Sequence, residues 1–381
     1  MKKSLISLLF ILLLVTLYQL LSESTMKEET PKIILQKLID EGKTPSVQYA
    51  IFDTDSIIYS FKNGMAEIGS NRHTDDKTTY HAYSVTKTFT ALAILQLIEK
   101  GEIELNDPVS QYLTGFPYSQ EITIRNLLTH TSGIPNPVPL SWIHLKEDHK
   151  SFDKQSFVKT VISNHKKTKF NPNEKSAYSN IGYIILGQII EQITDQSYEV
   201  YIEKNILNKI NPKELDFEIN DPKTHATGYQ EKWSLTNAVL GYFIDKDRFM
   251  RSAEGKWKPF KHFYVNDPAY GGLIGTTAGF VAYIREFLKD ESELLTAEHK
   301  RLLFTENLLS DGTPSGICLS WFKGNLNGDL YYTHAGGGGG YYVELRIYPE
   351  IGLGSVIMFN RSGIKDERFL DKLDSHFIHE Y

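Results

Sequence analysis

Apolar positions recur along this chain with two different periods, and the period switches where elements should begin and end. Thr30 and Pro31 precede Ile34, Leu35, Leu38 and Ile39. A cap, a fixed first turn and a one-sided apolar stripe predict a short helix there. Residues 47–52 and 57–61 are β-branched and aromatic runs joined at Thr54-Asp55-Ser56, which predicts a hairpin. The far end mirrors this: 341–348 and 353–359 flank the turn Pro349-Glu350-Ile351-Gly352, ahead of a last helix near 367–376. Strands at both ends predict one antiparallel sheet assembled from both termini.

Between these ends the period is helical. Residues 89–98 are apolar nearly all round, contain no Pro or Gly, and run out at Gly101 as a buried helix with a glycine cap would. Thr123 caps a short helix through Leu127 and Leu128. Residues 181–193, then Tyr198, Tyr201, Ile202 and Ile206, carry a helical period. From 221 to 270 aromatic and charged residues mix without a period, which predicts loops and short elements lining or lidding a cleft. The expected class is therefore α+β, with the sheet flanked by helices and facing a mainly helical lobe. The expected organisation is 1–24 as a signal peptide or membrane anchor, 27–80 with 265–381 as a discontinuous α/β lobe, and 81–264 as the helical lobe.

Composition narrows the functions available. With 381 residues the chain can bury a large core, and a net charge of -6 gives no electrostatic support for nucleic acid or for substrates carrying several negative charges. Lys2 and Lys3 precede an apolar run from Leu5 to Leu21, broken only by Ser7, Thr16, Tyr18 and Gln19, and Ser22-Glu23-Ser24 offers a cleavage site. Cleaved or retained as an anchor, this export signal places the remainder outside the cytoplasm: periplasmic, extracellular or membrane-anchored. The single cysteine, Cys318, excludes an intrachain disulfide, and its apolar neighbours Ile317 and Leu319 mark a core position.

Three stretches carry candidate chemistry. In Ser84-Val85-Thr86-Lys87 a serine three residues before a lysine shares one helical face with it, close enough for the amine to take the hydroxyl's proton. The spacing recurs at Ser24, Ser151, Ser156, Ser163, Ser320 and Ser362, but only Ser84 opens a long apolar helix, whose free N-H groups and dipole would stabilise an oxyanion. In Tyr178-Ser179-Asn180, also before an apolar helix, a phenol beside an ammonium is easier to ionise and could pass protons, and Asn180 brings an amide; the same triplet also reads as a cap or turn. In His334-Ala335 followed by Gly336 to Gly340, glycines admit a substrate to the backbone as an oxyanion hole requires. A flexible loop is the competing reading, and a phosphate cradle fails for want of a following Gly-Lys-Ser/Thr. His144 with His149, and His376 with His379, lack a carboxylate at a recognised ligand spacing, so no metal site and no cofactor are expected.

The order S-x-x-K at a helix start, Tyr-x-Asn about ninety residues later, then His-x-Gly before a late strand resembles the serine β-lactamase and penicillin-binding-protein superfamily, in particular the branch of class C β-lactamases, D-alanyl-D-alanine carboxypeptidases and related esterases. Residues 101–109, 127–134 and 271–277 agree, so the resemblance covers about 30 to 380. It implies a β-lactamase/transpeptidase-like fold with Ser84 as the acylated nucleophile, Lys87 as its base and Tyr178 as proton shuttle. Asn180 would position Lys87 and the substrate amide, His334 and Gly336 would flank the substrate, and the N-H groups of Ser84 and Gly337 would form the oxyanion hole. One position departs: where β-lactamases of this branch carry Lys-Thr-Gly, this chain has His334-Ala335-Gly336, which trades a permanent cation for a mostly neutral side chain. That favours a peptidase or esterase acting on a small-molecule or peptidoglycan-type peptide or ester over an efficient β-lactamase, unless Arg346 supplies the charge. His130 is expected to be structural. The competing readings are a penicillin-binding receptor with slow turnover and a non-enzymatic surface module.

Overall fold

The computed structural model describes residues 29–210, 213–363 and 369–378, so the expected export segment and His379 lie outside the described residues. Strands β1 (Ser46–Phe52), β2 (Ile57–Glu67) and β3 (Arg72–His73) come from the start of the chain. Strands β4 (Phe322–Leu326), β5 (Asp329–Gly338), β6 (Tyr341–Tyr348) and β7 (Leu353–Phe359) come from its end. All pair antiparallel in one seven-stranded sheet, ordered β4-β5-β6-β7-β1-β2-β3. The two ends of the chain meet where β1 lies against β7, from Val47 opposite Phe359 to Phe52 opposite Gly354.

Both faces of this sheet are covered, which is why every residue of β1 is buried and why its sequence is apolar on both sides. Val47, Tyr49 and Ile51 face helix α1 (Pro31–Asp40) and the short helix Phe369–Asp374, while Ala50 and Phe52 join the larger core on the other side. Thr30 caps α1 by accepting from Ile33 N at 3.4 Å. In the larger core, helix α2 (Thr86–Glu99) is buried from Thr86 to Leu97 and packs against helix α3 (Asn180–Thr194), and helix α4 (Thr277–Leu288) lies on β6, β7 and β1. Phe89 of α2 stacks on Tyr283 of α4 with ring centroids 3.8 Å apart, tying the helical part to the layer on the sheet.

One stretch differs from the sequence expectation. The glycine run is not a connection ahead of a strand: His334 to Gly338 are strand residues of β5, and only Gly339 and Gly340 turn into β6. Its partner β4 joins it through Asn327 and Gly328, both at positive φ (54° and 96°), a hairpin turn of the Asn-Gly type. The region 221–270 holds short elements: paired strands Tyr229–Glu231 and Trp257–Pro259, the helices Leu235–Leu240 and Lys246–Phe249, and Phe263–Val265 paired with Ile143–Leu145.

Candidate active site

Ser84 lies in a 3₁₀ turn, Tyr83–Val85, that runs directly into α2. Tyr83 adopts φ 47°, a left-handed conformation costly for an aromatic residue, and so sets the entry of the turn. Strand β5 approaches this turn as only glycine allows. A Cβ on Gly336 would stand 2.1 Å from Ala82 O and 2.7 Å from Ser84 N, and one on Gly338 would meet the Tyr83 ring at 2.7 Å. On Gly337 the nearest atoms would be 3.5 Å away, an ordinary contact distance, so a methyl group fits there.

Lys87, one helical turn on, is fully buried, with Nζ 3.1 Å from Ser84 Oγ and donating to Tyr270 O at 2.6 Å. Rings of Tyr178, Tyr183 and Tyr270 surround the amine at 5.0, 5.4 and 5.4 Å from their centroids. Burial alone drives its pKa well below the ordinary lysine value, because the charged form has lost water and no carboxylate replaces it. Among the described residues Ser84 is the one S-x-x-K serine hydrogen-bonded to its own lysine; Lys154 pairs with Glu191, Lys323 with Glu306, and Ser163 Oγ donates to Thr160 O.

The Tyr178 hydroxyl is buried beside Ser84 without a hydrogen bond of good geometry. Burial raises its pKa, and the neighbouring Ser84 hydroxyl offsets only part of the rise. The expectation of an easily ionised phenol is therefore reversed, since the lysine beside it is itself driven neutral. Asn180 is the first residue of α3, behind the Ser179 cap, and its side-chain Oδ1 is buried without a partner. No hydrogen bond joins it to Lys87, whose second partner is Tyr270 O, a residue sequence reasoning passed over although it precedes the singled-out Gly271-Gly272.

These groups open on a cleft of about 770 Å³ lined by Ser84, Tyr178, Asn180, Ala335, Gly337 and a largely apolar wall of Leu140, Ile143, Leu240, Phe260 and Phe322. It continues along the edge of β5 into a further space of about 390 Å³. None of the wall residues carries a sequence signature, because any apolar side chain serves there.

The beta-lactamase family model matches residues 33–376. The chain belongs to that family. Among its relatives is penicillin-binding protein 4* of Bacillus subtilis (strain 168), 38% identical over 151 residues, which are 39% of this chain and 33% of that one. The chain thus spans about a third of that relative's length. Among solved structures, the octameric penicillin-binding protein homologue from Pyrococcus abyssi has a TM-score of 0.71 at 24% identity, covering 88% of this chain and 74% of the other. The D-amino acid amidase from Ochrobactrum anthropi SV3 complexed with L-phenylalanine amide has a TM-score of 0.72 at 16% identity, covering 90% and 96%. At these identities the two structures share the fold.

Within this beta-lactamase fold neither His334 nor Arg346 presents a free cation to the cleft. His334 is on the inward face of β5, 1% exposed, while the cleft is lined by the alternate residues Thr333, Ala335 and Gly337. Its Nδ1 donates to Ser320 O at 2.5 Å, which leaves Nε2 as an unpartnered acceptor, and burial with Lys87 nearby lowers its pKa to about 3. Neutral at any ordinary pH, it brings no cation. Arg346 is fully buried and already matched: it donates to Glu344 Oε1 at 2.9 Å and Asp371 Oδ1 at 2.6 Å, and its guanidinium lies 4.0 Å from the Tyr331 ring centroid. It has no charge to spare for a substrate carboxylate. His130, at φ 56°, accepts from Ser179 N at Nδ1 and packs on Tyr178 with centroids 4.3 Å apart, so it holds the loop that carries Tyr178. His144 and His149 hydrogen-bond each other at 2.8 Å, and His149 pairs with Glu218.

Proposed function

We propose that the chain is a serine hydrolase that cleaves an amide or ester through an acyl-enzyme at Ser84. The observation that carries this reading is the buried amine of Lys87, matched by no carboxylate and 3.1 Å from Ser84 Oγ. Held neutral, Lys87 donates to Tyr270 O and keeps its lone pair for the serine. Ser84 Oγ attacks the carbonyl carbon as its proton passes to Lys87 Nζ, and the oxyanion rests on the N-H groups of Ser84 and Gly337. Tyr178, kept protonated by burial, gives its proton to the leaving nitrogen or oxygen and recovers one from the Lys87 ammonium. Water then repeats the attack on the acyl-enzyme in reverse roles. Asn180, with an unpartnered amide oxygen on the cleft, receives a substrate N-H.

The apolar wall, the uncharged His334 and the spent Arg346 favour substrates recognised by an apolar acyl group over those recognised by a carboxylate: D-amino-acid peptides, amides or small esters rather than β-lactams. The similarity in fold to a D-amino acid amidase supports the same reading. The apolar run Leu5 to Leu21 supports export; among the described residues no helix is long and apolar enough to cross a membrane. A D-amino acid amide, a D-alanyl-D-alanine peptide, a short-chain aryl ester and a chromogenic cephalosporin, assayed side by side with Ser84→Ala as control, test the proposal. Turnover of the amide or ester that Ser84→Ala abolishes is expected. A cephalosporin adduct without turnover of anything marks a penicillin-binding receptor instead, and no adduct and no turnover marks a non-enzymatic module.

A further inference from the structure

Residues 232–243 carry a cluster of exposed apolar side chains at the rim of the cleft. Trp233, Leu235 and Tyr242 are 86%, 82% and 89% exposed, and Val239 and Phe243 are 39% and 40% exposed. Leu240, and Ile244 just past the segment, are buried, so the helix Leu235–Leu240 is held by one side and presents the other. Tryptophan and tyrosine with polar tips, leucine and valine between them, phenylalanine directly after, and Lys232 standing 5.1 Å from the Trp233 ring centroid make up the composition of an element that lies in a membrane interface. We propose that this segment is a membrane contact, separate from the N-terminal run, that seats the mouth of the cleft on a lipid bilayer.

Two observations select the bilayer as occupant. The first is reach. The chain ahead of the described structure contains the apolar run Leu5 to Leu21, and the structure begins at Glu29, one residue before the cap of α1. The far end of α1 abuts the base of the exposed segment: a Cβ on Gly42 would stand 3.4 Å from Lys256 Cε, and Lys256 O accepts from Lys232 N at 2.8 Å. α1 is ten residues long, hence about 15 Å. Residues 22–28 span at most about 24 Å. A bilayer that holds the apolar run is therefore within reach of Trp233. The second is continuity. Leu240 belongs both to the segment and to the cleft wall, where it stands with Leu140 and Phe260, so an acyl substrate at the membrane surface would meet apolar surface all the way to Ser84. The inference rests on the export reading and is independent of the hydrolase reading.

Trp233 reports on it directly, because the other three tryptophans, Trp142, Trp257 and Trp321, are 7%, 6% and 0% exposed. The full chain and its Trp233→Phe variant are reconstituted in vesicles of phosphatidylcholine and phosphatidylglycerol, part of the phosphatidylcholine being brominated on its acyl chains. The expected result is bromine quenching of tryptophan emission in the parent that Trp233→Phe removes. Leu235→Ser with Tyr242→Ser should weaken the quenching while labelling of Ser84 by a fluorophosphonate continues at the parent rate. Equal quenching in parent and Trp233→Phe, or none in either, overturns the proposal. So does a Trp233 emission shift that follows protein concentration without lipid, which would assign the surface to a second copy of the chain.

Discussion

Lys87 has traded water for three aromatic rings, a carbonyl oxygen and a serine hydroxyl, and no carboxylate compensates its charge. Its folded pKa lies below the 10.5 of an unperturbed lysine, so the unfolded chain holds more protons across that window. This group's contribution to stability consequently rises with pH up to about 10.5 and is a penalty at pH 7. Lys87→Met should raise the urea midpoint at pH 7, with a gain that shrinks as the pH approaches 10.5. The same substitution removes the proposed base, and Lys87→Arg, which keeps a charge, should lose about 10²- to 10⁴-fold in acylation rate. A Lys87→Arg enzyme acylating at the parent rate would exclude Lys87 as base. His334 carries the second titration. Its folded pKa of about 3 lies below the unperturbed 6.5, so the unfolded state takes the proton first and stability falls as pH drops from 6.5 towards 3. His334→Asn should flatten that part of the urea-midpoint profile. The preference between a neutral ester and a carboxylate-bearing substrate should stay constant from pH 8 to pH 6, because His334 does not ionise there; a ratio that moves would place a titrating cation in the cleft.

At the scale of elements, the approach of β5 to the Ser84 turn depends on a side chain that is missing. Gly336→Ala puts a methyl 2.1 Å from Ala82 O and should cost about 1–3 kcal/mol of stability and most of the activity. Gly337→Ala, with 3.5 Å to its nearest neighbour, should keep the parent's melting temperature. Equal losses at both positions would mean that the strand is pliable. The sequence made much of this architecture legible. The N-cap of α1, the hairpin of β1 and β2, and the mirrored pair β6 and β7 follow from period and turn residues, and Ser84 stands out because the apolar run 89–98 behind it predicts the buried helix that α2 is. The hairpin of β4 and β5 escaped although Asn327-Gly328 marks its turn, because Gly336 to Gly338 read as a loop: glycine has poor strand propensity, and only the close packing of another backbone explains it there. The cleft wall was illegible for a different reason. Leu140, Leu240 and Phe260 are ordinary apolar residues brought together by the fold from segments without a common period.

Across the whole molecule, a buried ionic cluster joins the sheet to the end of the chain. Arg346 of β6 meets Glu344, Asp371 and Tyr348, and Asp374 accepts from Tyr49, Tyr348 and Ser355, linking three strands to the helix Phe369–Asp374. Burial outweighs the guanidinium and raises Glu344 to about 7. Arg346→Met leaves the carboxylates uncompensated and should cost about 3–5 kcal/mol in urea unfolding, with no change in preference between neutral and carboxylate-bearing substrates. A lost preference at unchanged stability would return Arg346 to the site. The cluster sits on the side of the sheet that meets α1, and Glu344 and Arg346 also border the cleft, so the sheet carries its support and the candidate cleft side by side. In the proposed reaction one serine, activated by the buried lysine beside it, forms the covalent intermediate. Its most direct measurement is peptide mass spectrometry after a fluorophosphonate, with the labelling rate followed against pH in the parent and in Lys87→Arg. The expected result is a single adduct on the peptide that contains Ser84, labelling that speeds up as the pH rises through the depressed pKa of Lys87, and near-complete loss of labelling in Lys87→Arg. An adduct on Ser156 or Ser163 with Ser84 unmodified, or parent-like labelling of Ser84 in Lys87→Arg, would contradict it.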